Sequence, residues 1–209
     1  MSRDVTATSA TRTGSARAGL AVMVAGILVF IGALGSSVID WLWPVILLGF
    51  LGMVYGTPGV HEYQAPSDGA LGRWGSLLIR YGGGLMVLLG AVFLVWEAVG
   101  DPPEAGPPLV DAAWMIGFAA FAIGVVLFAL GIIRGKVLPA ASGVLMLVGI
   151  VAAIAIDMAT GAFFEDTPTT TQWGFYIGVP LFALGLMWAG YTVWKDRGSS
   201  RSGGTAAVP

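Results

Sequence analysis

The chain has 209 residues, 56% of them apolar and 11% charged, with a formal net charge of −2, no cysteine and one histidine. An ordinary soluble domain carries roughly 25% charged residues, so this composition points to an integral membrane protein, and so small a net charge with scattered basic residues excludes a nucleic-acid partner. Without cysteine, disulfides, thiolate metal sites, iron–sulfur clusters and cysteine nucleophiles are excluded together.

Residues 1–17, rich in Ser, Thr and Arg, read as a disordered tail. Six apolar segments follow, at about 18–36, 38–56, 76–98, 112–133, 138–160 and 173–194. Each is close to the 20 or so residues needed to cross a hydrocarbon core about 30 Å thick. The expected fold is an all-α membrane protein with one transmembrane domain over 18–195, its six helices arranged as three helical hairpins. Arg17, the first apolar run and "ALGSS" could pass for a cleaved signal peptide, but the run exceeds a usual h-region and continues at once into span two. "GSS" at 35–37 allows only a tight reversal. In "GTPGVHEYQAP", residues 56–66, Pro58, Gly59 and Pro66 predict a turn and make His61 a polar loop residue. An acid–base pair of His61 with Glu62 is the alternative; one histidine supplies neither a zinc site nor a pair of haem ligands. "GDPPEAGPPLVD" at 100–111 and "GAFFEDTPTTTQ" at 161–172 are outer turns, and 196–209 form a second disordered tail.

Basic residues give the direction of insertion. With the N-terminus inside, the inner segments hold Arg3, Arg12 and Arg17, then Arg73 and Arg80, then Arg134 and Lys136, and finally Lys195, Arg197 and Arg201, which is all ten. The inner acids are Asp4, Glu62, Asp68 and Asp196, and the other eight acids lie at the outer ends and loops. Lys/Arg asymmetry sets membrane topology, so both termini are expected in the cytoplasm of a bacterial cell membrane. Trp41, Trp43, Trp96, Trp114 and Trp173 at the outer border, with Trp74 and Trp194 at the inner one, fit aromatic belts.

Glycine is placed regularly in the even spans. Gly49 and Gly56, then Gly117, Gly124 and Gly131, then Gly178 and Gly185 step by seven, so each series lines one helix face and predicts close backbone packing. "FAIG" at 121–124 matches "FALG" at 182–185, and "GLMVLLGAV" at 84–92 aligns with "GVLMLVGIV" at 143–151, suggesting a direct repeat of hairpins; chance matching of lipid-compatible residues is the alternative. No ionisable residue lies at mid-span, which counts against a proton relay. Asp40, Glu97 and Asp157, one per hairpin, are candidates for an acidic outer mouth holding a cation, or else solvated interfacial acids. The glycines of "RYGGG" at 80–84 lack the strand and lysine of a phosphate loop, and no catalytic, cofactor or metal motif is found.

"GMVYGTPGVHEYQ" after span two, "GIIRGKVLPAASGVLMLVGI" between spans four and five, and "LGLMWAGYTVWKDRG" at the end make residues 18 to 197 resemble small six-span membrane proteins of actinobacteria and related bacteria. That resemblance implies an integral membrane fold and carries over no catalytic residue. The expected role is that of a non-enzymatic structural, regulatory or accessory subunit of a membrane assembly, in contact with lipid and with other membrane proteins or a second copy of itself. A small-solute or cation channel or transporter is the alternative; Ser142 and Thr160 would be its few polar contributions between helices.

Overall fold

The structure is a computed structural model and describes residues 4–35, 39, 42–100, 108–161 and 172–199. Its helices are α1 (Asp4–Gly35), α2 (Trp43–Val99), α3 (Pro108–Gly135), α4 (Ala140–Ala159) and α5 (Trp173–Ser199), and no strand occurs among the described residues. Six stretches are long and apolar enough to cross a membrane: Ser15–Gly35, Trp43–Ala65, Gly69–Val99, Pro108–Gly135, Ala140–Ala159 and Trp173–Asp196, spans one to six below. The chain thus has the make-up of a multi-pass membrane protein.

Spans two and three are the two arms of α2. The loop expected between 56 and 76 contracts to a break at Gly69, whose φ of 59° and ψ of −144° belong to a region open essentially to glycine alone. The turn expected at Pro58, Gly59 and Pro66 is helix instead. Two contacts explain why it continues. Met53, Thr57, Val60 and Gln64 recur at helical spacing and are all fully buried, so the arm keeps an inward face beyond residue 56. Gly59 packs against Ala18 of span one, making it a close-approach glycine and not a turn residue. Pro58 removes one backbone hydrogen bond, a loss that helices in lipid tolerate.

Helix boundaries shift elsewhere as well. The described helix of span two starts at Trp43, with Pro44 in the first turn, where its missing N–H is of no consequence, and residues 38, 40 and 41 of the expected span lie outside the described residues. The first helix begins at Asp4, well inside the tail expected over 1–17, and Ser15 and Ala18 are already buried. The membrane segment supplies the nucleus, so the helix needs only to propagate through "ATSATRTGSARAGL" in spite of its Ser, Thr and Gly. At the other end α5 runs on to Ser199, past the expected boundary at 195.

Each span touches the next, and the sixth touches the first. The glycines of the even spans lie at three corresponding contacts. A Cβ added at Gly56, Gly124 or Gly185 would meet the carbonyl of Ala18, Gly75 or Ser142 and the amide four residues further on, at Val22, Ile79 or Met146. One heptad away, Gly49 faces Ala25 and Val29, Gly178 faces Gly149 and Ala153, and Gly117 faces Gly82. Gly131 is buried on span four. In this register Gly82 corresponds to Gly149, so the sequence alignment of 84–92 on 143–151 is displaced by eight residues. Gly90 instead abuts Leu47 of span two, and Gly84 has no neighbour within 4 Å. A glycine-rich string recurs easily in lipid-soluble text; the face it occupies decides the register.

Even-span positions correspond at offsets of 68 (Gly56 to Gly124) and 61 (Gly124 to Gly185). Applied along the helices, these offsets give four sets of three: Met53, Phe121 and Phe182; Thr57, Val125 and Leu186; Val60, Phe128 and Ala189; Gln64, Ile132 and Val193. No member is more than 3% exposed. Spans two, four and six therefore fill the centre of the molecule. Edge-on ring contacts join them, with Phe50 4.9 Å and Phe182 6.2 Å from Phe121 between centroids.

Candidate functional site

Asp157 and Glu97, two of the three carboxylates expected at an outer mouth, serve different ends. Asp157 is half-buried on span five, and its Oδ1 accepts a hydrogen bond of 2.8 Å from the backbone N–H of Gly174. Gly174 lies in the first turn of span six, where N–H groups have no partner within the helix, so a carboxylate there satisfies an orphan donor and complements the helix dipole. Glu97 is exposed near the end of span three. By the odd-span register Asp157 corresponds to Gly90, which leaves Glu97 seven residues, or about 10 Å, further along its helix. Asp40 lies outside the described residues. Among the described residues no three His, Asp or Glu side chains gather where they could hold an ion.

Three hydroxyls of the spans and their ends bond to nearby carbonyls. Thr57 Oγ1 donates to the Met53 carbonyl at 2.8 Å, Ser142 Oγ to the Pro139 carbonyl at 2.7 Å, and Thr160 Oγ1 to the Ile156 carbonyl at 2.9 Å. Ser142 and Thr160 are therefore engaged with their own helix ends. Gln64 differs. It is fully buried, and neither Nε2 nor Oε1 has a hydrogen-bond partner among the described residues, in a set whose other members are Ile132 and Val193.

His61 occupies a helix, not a loop, and lines a groove of about 250 Å³ between spans two and three. Pro58, His61 and Glu62 form one wall; Arg73, Ser76, Leu77 and Arg80 form the other. The groove exists because of what fills one pair of corresponding positions. Where span six meets span one, Gly190 lies against Gly19, and where span four meets span five, Ala129 lies against Gly143. The same positions where span two meets span three hold His61 and Ser76. Two nearly side-chain-free seams close; the third, with an imidazole and a hydroxyl, stands open.

Charge follows the same division. Arg73 and Arg80 correspond to Ala16 and Met23 on span one and to Ala140 and Leu147 on span five. Arg73 and Arg80 are exposed, Ser76 is buried at the floor, and Glu62 is the one acid among the described residues that line the groove. Two guanidinium groups against one carboxylate make the groove attractive to an anion. Tyr63, next along span two, donates its hydroxyl to Asp196 Oδ2 at 2.8 Å and so ties this end of the arm to span six. The sequence drew attention to His61 and its neighbour Glu62. Arg73, Ser76 and Arg80 join them only once the register is known, and the signal in the sequence is that offsets of 68 and 61 set His61 against Ala129 and Gly190. Comparison with protein-family models, with curated proteins and with solved structures finds no match to this chain.

Proposed function

We propose that this chain is a non-enzymatic integral membrane protein of three directly repeated helical hairpins, acting as a structural, regulatory or accessory subunit of an assembly in a bacterial cell membrane. The observation that carries the reading is the filled centre: four successive sets of side chains from spans two, four and six, ten of the twelve apolar, are at most 3% exposed. Thr57, Ser142, Thr160 and Asp157 are each engaged by backbone groups, which leaves little for transport chemistry. The matching contacts of Gly56, Gly124 and Gly185 support duplication of a hairpin. Confinement of all ten basic residues to one side supports cytoplasmic termini.

The chain has no cysteine, so single cysteines at Ser67, Ala105 and Thr169 report sidedness without background. An impermeant thiol reagent on intact cells is expected to label 105 and 169 and to spare 67; the reverse pattern refutes the orientation. Affinity purification in mild detergent tests the assembly role, which fails if the chain is recovered alone from every preparation. Gln64 is the one feature that favours a solute or cation path, since its amide lacks a partner near one end of the filled centre. Flux through proteoliposomes that Gln64→Leu abolishes would establish that second reading in place of the first.

A further inference from the structure

We infer that the groove between spans two and three holds the phosphodiester of an anionic phospholipid, with Arg73 and Arg80 as its cationic partners. The inference rests on the six-span membrane reading but not on the assembly role or on which leaflet the groove faces.

Depth is the first reason. Counting about 20 residues from the far end of each arm, the length that crosses the hydrocarbon core, arrives at Arg80 on span three and at Glu62 on span two. Span three is 31 residues long. At 1.5 Å per residue it outreaches the core by roughly 15 Å, so Arg73 and Ser76 stand among the headgroups. Trp74 and Tyr81, 59% and 70% exposed, flank the groove residues as headgroup-level aromatics do.

Chemistry is the second. Arg73 and Arg80 are two turns apart on one face, with the Ser76 hydroxyl between them and His61 opposite. Guanidinium groups are planar donors suited to phosphate oxygens, and a serine hydroxyl adds a donor at the floor. Specificity of place is the third. The two other seams carry Gly, Ala, Met or Leu at the positions of Arg73, Ser76 and Arg80, so the basic groove is confined to one of three equivalent seams. Basic pockets between membrane helices at headgroup level are a recurrent way of binding anionic lipid.

Native mass spectrometry of the full chain released from neutral detergent tests this, with phosphatidylglycerol, phosphatidylcholine and inorganic phosphate offered singly and in competition. One phosphatidylglycerol is expected to bind in preference to phosphatidylcholine, and each of Arg73→Gln and Arg80→Gln to weaken it about fivefold. Arg134→Gln, a basic residue outside the groove, is expected to leave that preference intact. His61→Ala with Ser76→Gly installs the residue pair found between spans four and five, Ala129 and Gly143, and so closes the groove on a packing the fold already uses. This variant is expected to fold and to lose the preference even if the arginine variants are too unstable to purify. An unchanged preference in the closed-groove variant overturns the inference. Inorganic phosphate displacing phosphatidylglycerol at equal concentration overturns it too, assigning the groove to a soluble anion.

Discussion

A buried amide with no partner costs about 1–3 kcal/mol, and Gln64 carries two such atoms in a set it shares with Ile132 and Val193. Methionine has a similar length and no strong polar group, so Gln64→Met is expected to raise the unfolding free energy in detergent by an amount in that range. A fall would mean that the amide is satisfied by water or a ligand and belongs to a site. Asp157 is the opposite case, a half-buried carboxylate whose Oδ1 accepts the Gly174 N–H. Removing such a cap costs about 1 kcal/mol. Asp157→Ala is expected to lose that amount, while Asp157→Asn, which keeps an acceptor, loses only part of it. Equal losses in thermal unfolding would assign the stabilisation to charge instead of to the hydrogen bond.

Among the helices, two glycine substitutions separate close packing from mere composition. A Cβ at Gly124 would lie 2.7 Å from the Ile79 amide nitrogen and 3.0 Å from the Gly75 carbonyl oxygen, backbone atoms that cannot turn aside. Gly124→Ala is therefore expected to destabilise by about 1–3 kcal/mol, as overpacked sites do. Gly84, on span three, has nothing within 4 Å. Gly84→Ala is expected to be neutral or to stabilise by up to about 1 kcal/mol through helix propensity, and chemical unfolding of the two variants side by side checks the contrast. Gly124 stands out in the sequence because its series repeats every seven residues. Gly84 looks equally meaningful there, since it opens a string that matches one in span five, and only the helix face it occupies shows otherwise. The break at Gly69 was similarly masked: "SDGA" contains a turn signal, but the prolines and glycine of 56–66 lie closer to the end of the apolar run. Those residues are held helical by burial of Val60 and Gln64 and by contact of Gly59 with Ala18, long-range packing that local propensity does not contain.

For the molecule as a whole, the count of spans follows from hydrophobic length alone, because the thickness of a bilayer sets a minimum length for every spanning helix. The groove could not be read that way, since its walls come from two arms whose relative register depends on contacts all round the molecule. That register also fixes the centre. Phe121 sits between Phe50 and Phe182 and is 2% exposed. Truncating a buried phenylalanine typically costs 3–5 kcal/mol, so Phe121→Ala is expected to lower the unfolding free energy by about that much. It is nevertheless expected to pass no ions in proteoliposomes. The sets containing Val125, Phe128 and Ile132 still lie in series with the gap, each completed by residues of spans two and six that are at most 1% exposed. A space walled by apolar groups, here the rings of Phe50 and Phe182, also stays dry. Ion leakage through folded Phe121→Ala, with none through the native chain, would mean that a single set of rings closes a path, and the protein would then be a plugged channel and not a packed bundle.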